Sequence, residues 1–495
     1  MLALACALLA WPLWRSGRQW LAAALAACSV HAAERPNIVI VIADDLGWRD
    51  VGFHGAQVKT PNLDRLASGG AGLNAMYVQP YSSQTRAALL TGRYPMRYGL
   101  QSLSIGRNAA YGLPKEERTV AQALHEKGYR TAFVGDWRLG HAQPEFWPTR
   151  RGFETFYGSL AGSSESVVRK GAKTDWRRGE KPAVDAGYVT DLVAAETVAV
   201  IRKHDTSAPL FVVASFNAPA HYEDVPRELR ESLKTVEDDT RRSYLAAVAG
   251  FDRALGAILA ELERRQMSGS TLVVVLSDNG GAVPLRFATG DADVRRPAAD
   301  NGTYREGKGS LYEGGVRAVA VASWPGRIPP GTVVTEPLHA TDLGATVMAL
   351  GDGQRLAAAF DAMIAGMAGE MERLGVRVTR LASAHAAPCF SFEGVFHWQD
   401  TWLPLHRSAP DPAHLARLTE PAANPEARAL VKRLRDMTID LFRQHGAASN
   451  QIGRGYPFLP VLRDAPAALL MAIKQALDPR NLMNPGVLGF PPPAG

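Results

Sequence analysis

From residue 36 the chain alternates between short, unbroken apolar runs and stretches whose apolar residues recur at helical spacing. The first run, "NIVIVIADD" (37–45), is rich in β-branched residues and closes on two aspartates. It predicts a parallel strand buried on both faces, with carboxylates at its carboxyl end. "RTAFVGD", "LFVVASFNAP" and "TLVVVLSDNGG" predict further buried strands. Between them, "TPNLDRLASGG" predicts a helix with Thr60 as N-cap, Pro61 in the first position and Gly69 or Gly70 as stop. "TVAQALHEKGY" repeats that design with Thr119 and Gly128. Strands alternating with helices imply an α/β protein whose sheet is covered on both faces. Ligands of such sheets bind beyond the carboxyl ends of the strands, where Asp44, Asp45, Asp278 and Asn279 fall.

The pattern changes near "ALGDGQRLAAAF" (349–360), where Gly351-Asp352-Gly353 signals a turn. A long amphipathic helix to about residue 376 follows, then a Pro-rich patch over 404–425 and a helix near 426–445. The expected organisation is a leader over 1–33, an α/β domain over 34–350 and a smaller α+β domain over 351–495.

Composition adds little to this picture except at the start. Of 495 residues, 46% are hydrophobic and 21% charged, ordinary for a globular chain. The net charge is +6, but the arginines are scattered and form no basic run, so no nucleic-acid partner is expected. Cys6, Cys28 and Cys389 are the only cysteines. In the leader, Arg15 and Arg18 precede "WLAAALAA", and "SVHAAE" offers cleavage after Ala32. "LAAC" also fits a lipoprotein box that would acylate Cys28. Export to the periplasm or the outside is therefore expected, with any membrane contact made through a lipid on Cys28 or an uncleaved leader.

Paired aspartates after one strand and an Asp-Asn pair after another make a hard-oxygen set. Carboxylates brought together need a cation or repel one another, and such oxygens favour Ca²⁺ or Mg²⁺ over zinc. Alone, Asp44-Asp45 would equally serve to cap a turn.

Six stretches in order, "RPNIVIVIADDLGWRDVGFHG", "TPNLDRLASGG", "TRAALLTGRYPMRYGL", "WRLGHAQPEFWPTRRGFETFYG", "LVVVLSDNGG" and "GKGSLYEGGVRA", resemble the sulfatases, most closely the arylsulfatase B type. The resemblance spans about 35–350. It implies an alkaline-phosphatase-like α/β sandwich with a largely parallel central sheet, acting on the sulfate esters of small molecules or glycans. It further implies Ca²⁺, or Mg²⁺, held by Asp44, Asp45, Asp278 and Asn279. Arg86 would support the nucleophile and Lys308 would bind sulfate. Ser82 stands where the family carries a cysteine or serine that is oxidised to formylglycine. The hydrated aldehyde attacks sulfur with one hydroxyl and expels sulfate with the other.

Four positions depart from that pattern. The family's Cys/Ser-x-Pro/Ala-x-Arg reads Ser82-Ser83-Gln84-Thr85-Arg86 here, so formylglycine is not expected. Its "GKWHLG" reads "GDWRLG", placing Asp136 for lysine and Arg138 for histidine. Asp136 puts negative charge where an anion binds. Two like charges about 4 Å apart at an effective dielectric near 20 cost about 4 kcal/mol, which Arg138 would offset as an oxyanion donor. "NAPH" reads "NAPA", with Ala220 in place of the leaving-group acid and His221 one residue later. On an extended segment that shift turns a side chain to the opposite face, which leaves His221 a candidate acid only if the chain bends. An impaired sulfuric-ester hydrolase is the expectation, with a catalytically inactive Ca²⁺-binding relative as the alternative.

"AIKQALDPRNLMNPGVL" near the C-terminus resembles the end of FAD-linked oxidases of the vanillyl-alcohol-oxidase type, and "LFRQHGAASNQIGRGYPF" agrees with it. Most flavin contacts of that family come from an N-terminal domain that nothing in this chain resembles. FAD is therefore not expected to bind, and an oxidoreductase fragment or fusion is the third reading.

Overall fold

Strand β1 (Asn37–Asp44) is buried at every residue. It lies between β7 (Leu210–Pro219) and β8 (Thr271–Ser277), parallel to both. This is why its apolar run does not alternate: Ile38, Ile40 and Ile42 enter the core on one face of the sheet, and Val39, Val41 and Ala43 enter the core on the other. The computed structural model describes residues 35–444, apart from 102, 163–166, 169–174, 184, 284–297, 349, 351–353, 386–388 and 402–419. The leader with Cys6 and Cys28 and the oxidase-like ending over 445–495 lie outside the described residues.

Ten strands form one mixed sheet. They comprise β1, β2 (Ala71–Leu73), β3 (Arg130–Gly135), β4 (Thr155–Ser159), β5 (Trp176–Arg178), β6 (Lys181–Pro182), β7, β8, β9 (Ala320–Ser323) and β10 (Thr332–Val334), in the spatial order 10-2-9-8-1-7-3-4-5-6. The central five, β8-β1-β7-β3-β4, are all parallel. Antiparallel pairs flank them on each side.

One face of the sheet is covered by α1 (Pro61–Ser68), α4 (Val189–Lys203) and α5 (Asp239–Arg264). The other carries α2 (Ser82–Thr91), α3 (Val120–Glu126) and α6 (Ala340–Met348). Helix α2 is buried at all ten residues. Its partner α6 approaches so closely at Gly344 that a Cβ there would lie 2.6 Å from the Leu89 carbonyl oxygen. A larger residue would push the two helices apart and move the start of α2.

The helix signals were read unevenly. Thr119 caps α3 through a complete capping box with Gln122. Thr60 makes no side-chain cap on α1. Its hydroxyl instead accepts from Gly52 N and donates to Asp64. The orphan N–H groups of Asn62 and Leu63 are taken by the Asp252 carboxylate of α5, a long-range cap that no local pattern shows.

The chain forms two units, one on Glu34–Gly351 and a second on Asp352–Ser383 and Ser391 onward. The second contains α7 (Gln354–Arg373) and α8 (Pro425–Gln444), whose core includes Phe360, Met371, Leu430, Val431 and Leu434. Strands β11 (Arg377–His385) and β12 (Cys389–His397) pair in a two-stranded sheet. Among the described residues no helix is long and apolar enough to cross a membrane.

His54 stacks on Trp48, with ring centroids 3.7 Å apart, and its buried Nε2 has no hydrogen-bond partner among the described residues. Burial lowers its pKa, more than the hydrogen bond to the Trp48 carbonyl raises it. The unfolded chain therefore takes up this proton more readily than the fold. His54's contribution is complete above the unfolded value of about 6.5 and is lost as pH falls through the depressed folded value. The stability difference between the protein and His54→Gln should shrink from about pH 8 to about pH 5, read from urea midpoints. A gap that widens would refute this.

Candidate functional site

The carboxyl ends of four adjacent parallel strands, β8, β1, β7 and β3, meet the start of α2. Asp44 is the last residue of β1, and Asp45 follows in the left-handed region at φ 64. Consecutive residues of a strand point to opposite faces; the backbone reversal at Asp45 lets both carboxylates face the same space. Asp278 and Asn279 follow β8 directly. Each of Asp44, Asp45 and Asp278 offers an oxygen within 4.8 Å of the other two, and all three residues are buried.

Ser82 opens α2 and is fully buried. Its Oγ lies 3.3 Å from Asp44 Oδ1 and 3.4 Å from Asn279 Oδ1. The positive end of the helix therefore faces the acid cluster. Arg86, one turn on, is also fully buried. It donates to Asp278 Oδ2 at 2.5 Å, to the Ser82 carbonyl at 3.1 Å, to Ser215 Oγ and to the Asp136 carbonyl. Lys308 holds both oxygens of Asp45, at 2.6 and 2.7 Å.

The charges follow from these neighbours. Burial raises the pKa of Asp45, as do the charges of Asp44 and Asp278, and together they push it up to about 7 against Lys308 and Asn279. Burial and the Asp44 charge raise Asp278 as well. At Asp44 burial also acts upward, but Arg138, Lys308, Arg86 and His221 outweigh it and hold the carboxyl below its usual range. Burial opposes the charge on Lys308, yet the three aspartates raise its pKa. Burial is the larger cost at Asp45 and Asp278, repulsion from Asp44 adds to it, and a bound cation would relieve both.

The donor set suits such an ion. Ca²⁺–oxygen distances of about 2.3–2.6 Å allow two ligands of one ion to lie up to roughly 5.2 Å apart, and one oxygen from each of the three aspartates lies within 4.8 Å of the others. The Asn279 amide donates its Nδ2 to Asp45 Oδ1 and to the Gly280 carbonyl, which turns its Oδ1 toward Ser82. Among the described residues no sulfur or imidazole joins the trio, so a hard cation fits better than zinc.

Two expectations need correction. Arg138 is not held as an oxyanion donor. Its Nη2 is committed to Asp44 Oδ2 at 2.7 Å and Asp136 Oδ2 at 3.2 Å, since two carboxylates within reach outcompete an open position. His221 does not point away as an extended segment would require. Strand β7 stops at Pro219, and the chain turns so that His221 N–H donates back to the Asn217 carbonyl. Strand alternation no longer applies, and the ring comes close enough for its charge to act on Asp44. Asp136 is fully buried beside this cluster.

Further residues, without a signal in the sequence, support the site. Ser215 fixes the Arg86 guanidinium. Ser83 donates to the Arg138 carbonyl and accepts from Ile105 N. The Tyr244 hydroxyl donates to the Asp45 carbonyl and accepts from Gly47 N. Ser277 accepts from Leu46 N. None carries a local signal, because each acts on a residue remote in the chain.

The family described as Sulfatase matches residues 36–353. Arylsulfatase J of Mus musculus is 33% identical over 331 residues, covering 65% of this chain and 53% of that protein. N-acetylgalactosamine-6-sulfatase of Rattus norvegicus is 31% identical over 353 residues, covering 66% of this chain and 64% of that protein. The chain thus spans about half to two thirds of these relatives. Among solved structures, Ps i-CgsB in complex with k-i-k-neocarrahexaose superposes with a TM-score of 0.59 at 31% identity, over 64% of this chain and 72% of that one. These neighbours share the alkaline-phosphatase-like α/β architecture of the large sheet.

Proposed function

The chain belongs to the sulfatase family, and on that footing we propose that residues 35–350 form a sulfuric-ester hydrolase site of the arylsulfatase type, impaired by its own substitutions. The observation that supports this most is Ser82. Its hydroxyl is buried against Asp44 and Asn279 at a helix start, with Arg86 one turn behind. Asp44, Asp45, Asp278 and Asn279 would hold Ca²⁺ or Mg²⁺. When bound, such an ion neutralises charge on the ester and makes a nearby hydroxyl more acidic.

The chain's own residues take the chemistry part of the way. Ser82 Oγ, hydrogen-bonded to Asp44 Oδ1, passes its proton to water as it attacks sulfur. The new Oγ–S bond forms as the bond from sulfur to the alcohol oxygen breaks, and the alcohol leaves carrying a proton from His221 or water. The serine is then a sulfate ester. A formylglycine diol would expel sulfate with its second hydroxyl; Ser82 has none, and Gln84 stands in place of the Pro or Ala that marks the residue for maturation. Turnover then stalls after about one equivalent.

A sulfated small molecule or glycan is the substrate class we infer, in keeping with the neocarrahexaose named in the Ps i-CgsB complex. The leader suggests that this site works outside the cytoplasm, free or anchored at Cys28.

Mass spectrometry of the Ser82 peptide, before and after incubation with an aryl sulfate and Ca²⁺, tests the reading. The expected result is an unmodified serine, stoichiometric phenol release and one sulfo group on Ser82. Sustained turnover would overturn the impairment. No release and no adduct would favour the second reading, a non-catalytic cation-binding protein, which the buried Asp136 in the anion position supports. For 351–495 we propose descent from the C-terminal region of FAD-linked oxidases, without autonomous flavin binding; a purified protein with a flavin spectrum would contradict this.

A further inference from the structure

The acid cluster is already answered by cations of the chain itself. Arg86 pairs with Asp278, Lys308 with Asp45, and Arg138 with Asp44. We propose that Arg138 is a built-in counter-ion to the cluster, weakening the chain's affinity for a divalent cation. This rests on the reading that Asp44, Asp45, Asp278 and Asn279 hold such an ion.

Arg138 is placed rather than adventitious. Its backbone sits in the left-handed region, φ 56, unusual for an arginine. Two hydrogen bonds hold it there: its N–H donates to the Leu160 carbonyl, and its carbonyl accepts from Ser83. From that position Nη2 spans Asp44 and Asp136, and the buried Nε has no hydrogen-bond partner among the described residues. Asp44 is divided by this contact. Oδ2 is bound to the guanidinium, while Oδ1 faces Ser82 and lies 3.9 Å from Lys308 Nζ, beyond hydrogen-bond reach, so that it can still serve as a ligand.

Charge then decides the effect. With all four carboxylates ionised, as they are when a cation is held, Asp44, Asp45, Asp136 and Asp278 exceed Arg86, Arg138 and Lys308 by one negative charge. Without Arg138 the excess would be two, the charge a divalent ion neutralises. In a buried site a fixed positive charge next to a ligand repels an incoming dication far more than it would in water. The same contact supports the ion-free state, because a buried carboxylate without a partner is costly.

Isothermal titration with CaCl₂, using the full chain with Arg138→Gln and Arg138→Lys, tests this. Arg138→Gln should bind Ca²⁺ at least about tenfold tighter than the parent, and Arg138→Lys, which keeps the charge, should stay near the parent value. In EDTA the Gln variant should melt below the parent, and saturating Ca²⁺ should close that gap. A Gln variant that responds to Ca²⁺ but binds it no more tightly overturns the role of Arg138 and leaves the metal site standing. No response to Ca²⁺ or Mg²⁺ in any of these proteins overturns both. Should Arg138→Gln fail to fold, Asp136→Asn serves instead: removing one negative charge while Arg138 stays must weaken Ca²⁺ binding, and tighter binding there refutes the proposal.

Discussion

An Arg86→Met variant should lose about 3–5 kcal/mol of stability, the usual cost of stranding one member of a buried ion pair. The arginine is fully buried and ties together three parts of the site: Asp278 after β8, the Ser82 carbonyl at the start of α2, and Ser215 on β7. Methionine keeps much of the side-chain volume and drops every one of these bonds. Asp278 would then keep its burial and the repulsion of Asp44, both of which already raise its pKa, without the guanidinium that opposes them. Adding Asp278→Asn to Arg86→Met should recover part of the loss, because the stranded charge is gone. Urea unfolding of the single and double variants measures this. A single variant within about 1 kcal/mol of the parent, the size of an exposed pair, would show that the pair is not buried as described.

Restoring the catalytic set should convert a stalled site into a turning one. The changes are Ser82→Cys and Gln84→Pro to admit maturation, Asp136→Lys and Arg138→His to receive sulfate, and Ala220→His to protonate the leaving oxygen. Proline at 84 lies in the first turn of α2, where helices tolerate it. General acid–base groups contribute about 10²- to 10⁴-fold each, and their effects do not multiply cleanly. Expressed with a formylglycine-generating enzyme, the combined variant should turn over an aryl sulfate many times, against about one equivalent for the parent. If the aldehyde forms and the rate does not rise, the substitutions at 136, 138 and 220 are not what impairs the site.

Much of the site was legible because it lies on strands. A buried parallel strand announces itself as an unbroken apolar run, and its end is marked by the first polar residues. Asp44, Asp45, Asp278 and Asn279 are therefore legible as residues at the carboxyl ends of strands, and the structure adds that these two strands are neighbours. "SSQTRAALLTG" reads as a polar turn over 82–86 leading into a helix from Ala87, whereas the helix already begins at Ser82. Reading failed where the chain leaves regular structure. His221 was assigned a direction by strand alternation, yet β7 had already ended. Thr60 was assigned a cap by its place before Pro61, while a carboxylate 190 residues on took the N–H groups of α1. Arg138 was assigned to an anion, but two carboxylates of the chain lay closer.

By itself the sequence determined the class of sheet, the strand ends that carry the aspartates, the family, and the positions where the family pattern is broken. These follow from local periodicity and from the identity of single residues. Only the tertiary structure decided what the broken positions do instead. Whether Asp136 repels a substrate or restrains Arg138, and whether Arg138 serves an anion or Asp44, depends on which charges meet after folding. That is set by the packing of α2 against β8, β1, β7 and β3, and by two left-handed residues, Asp45 and Arg138. The energies involved fall steeply with distance and rise with burial, and neither quantity is written in the order of residues along the chain.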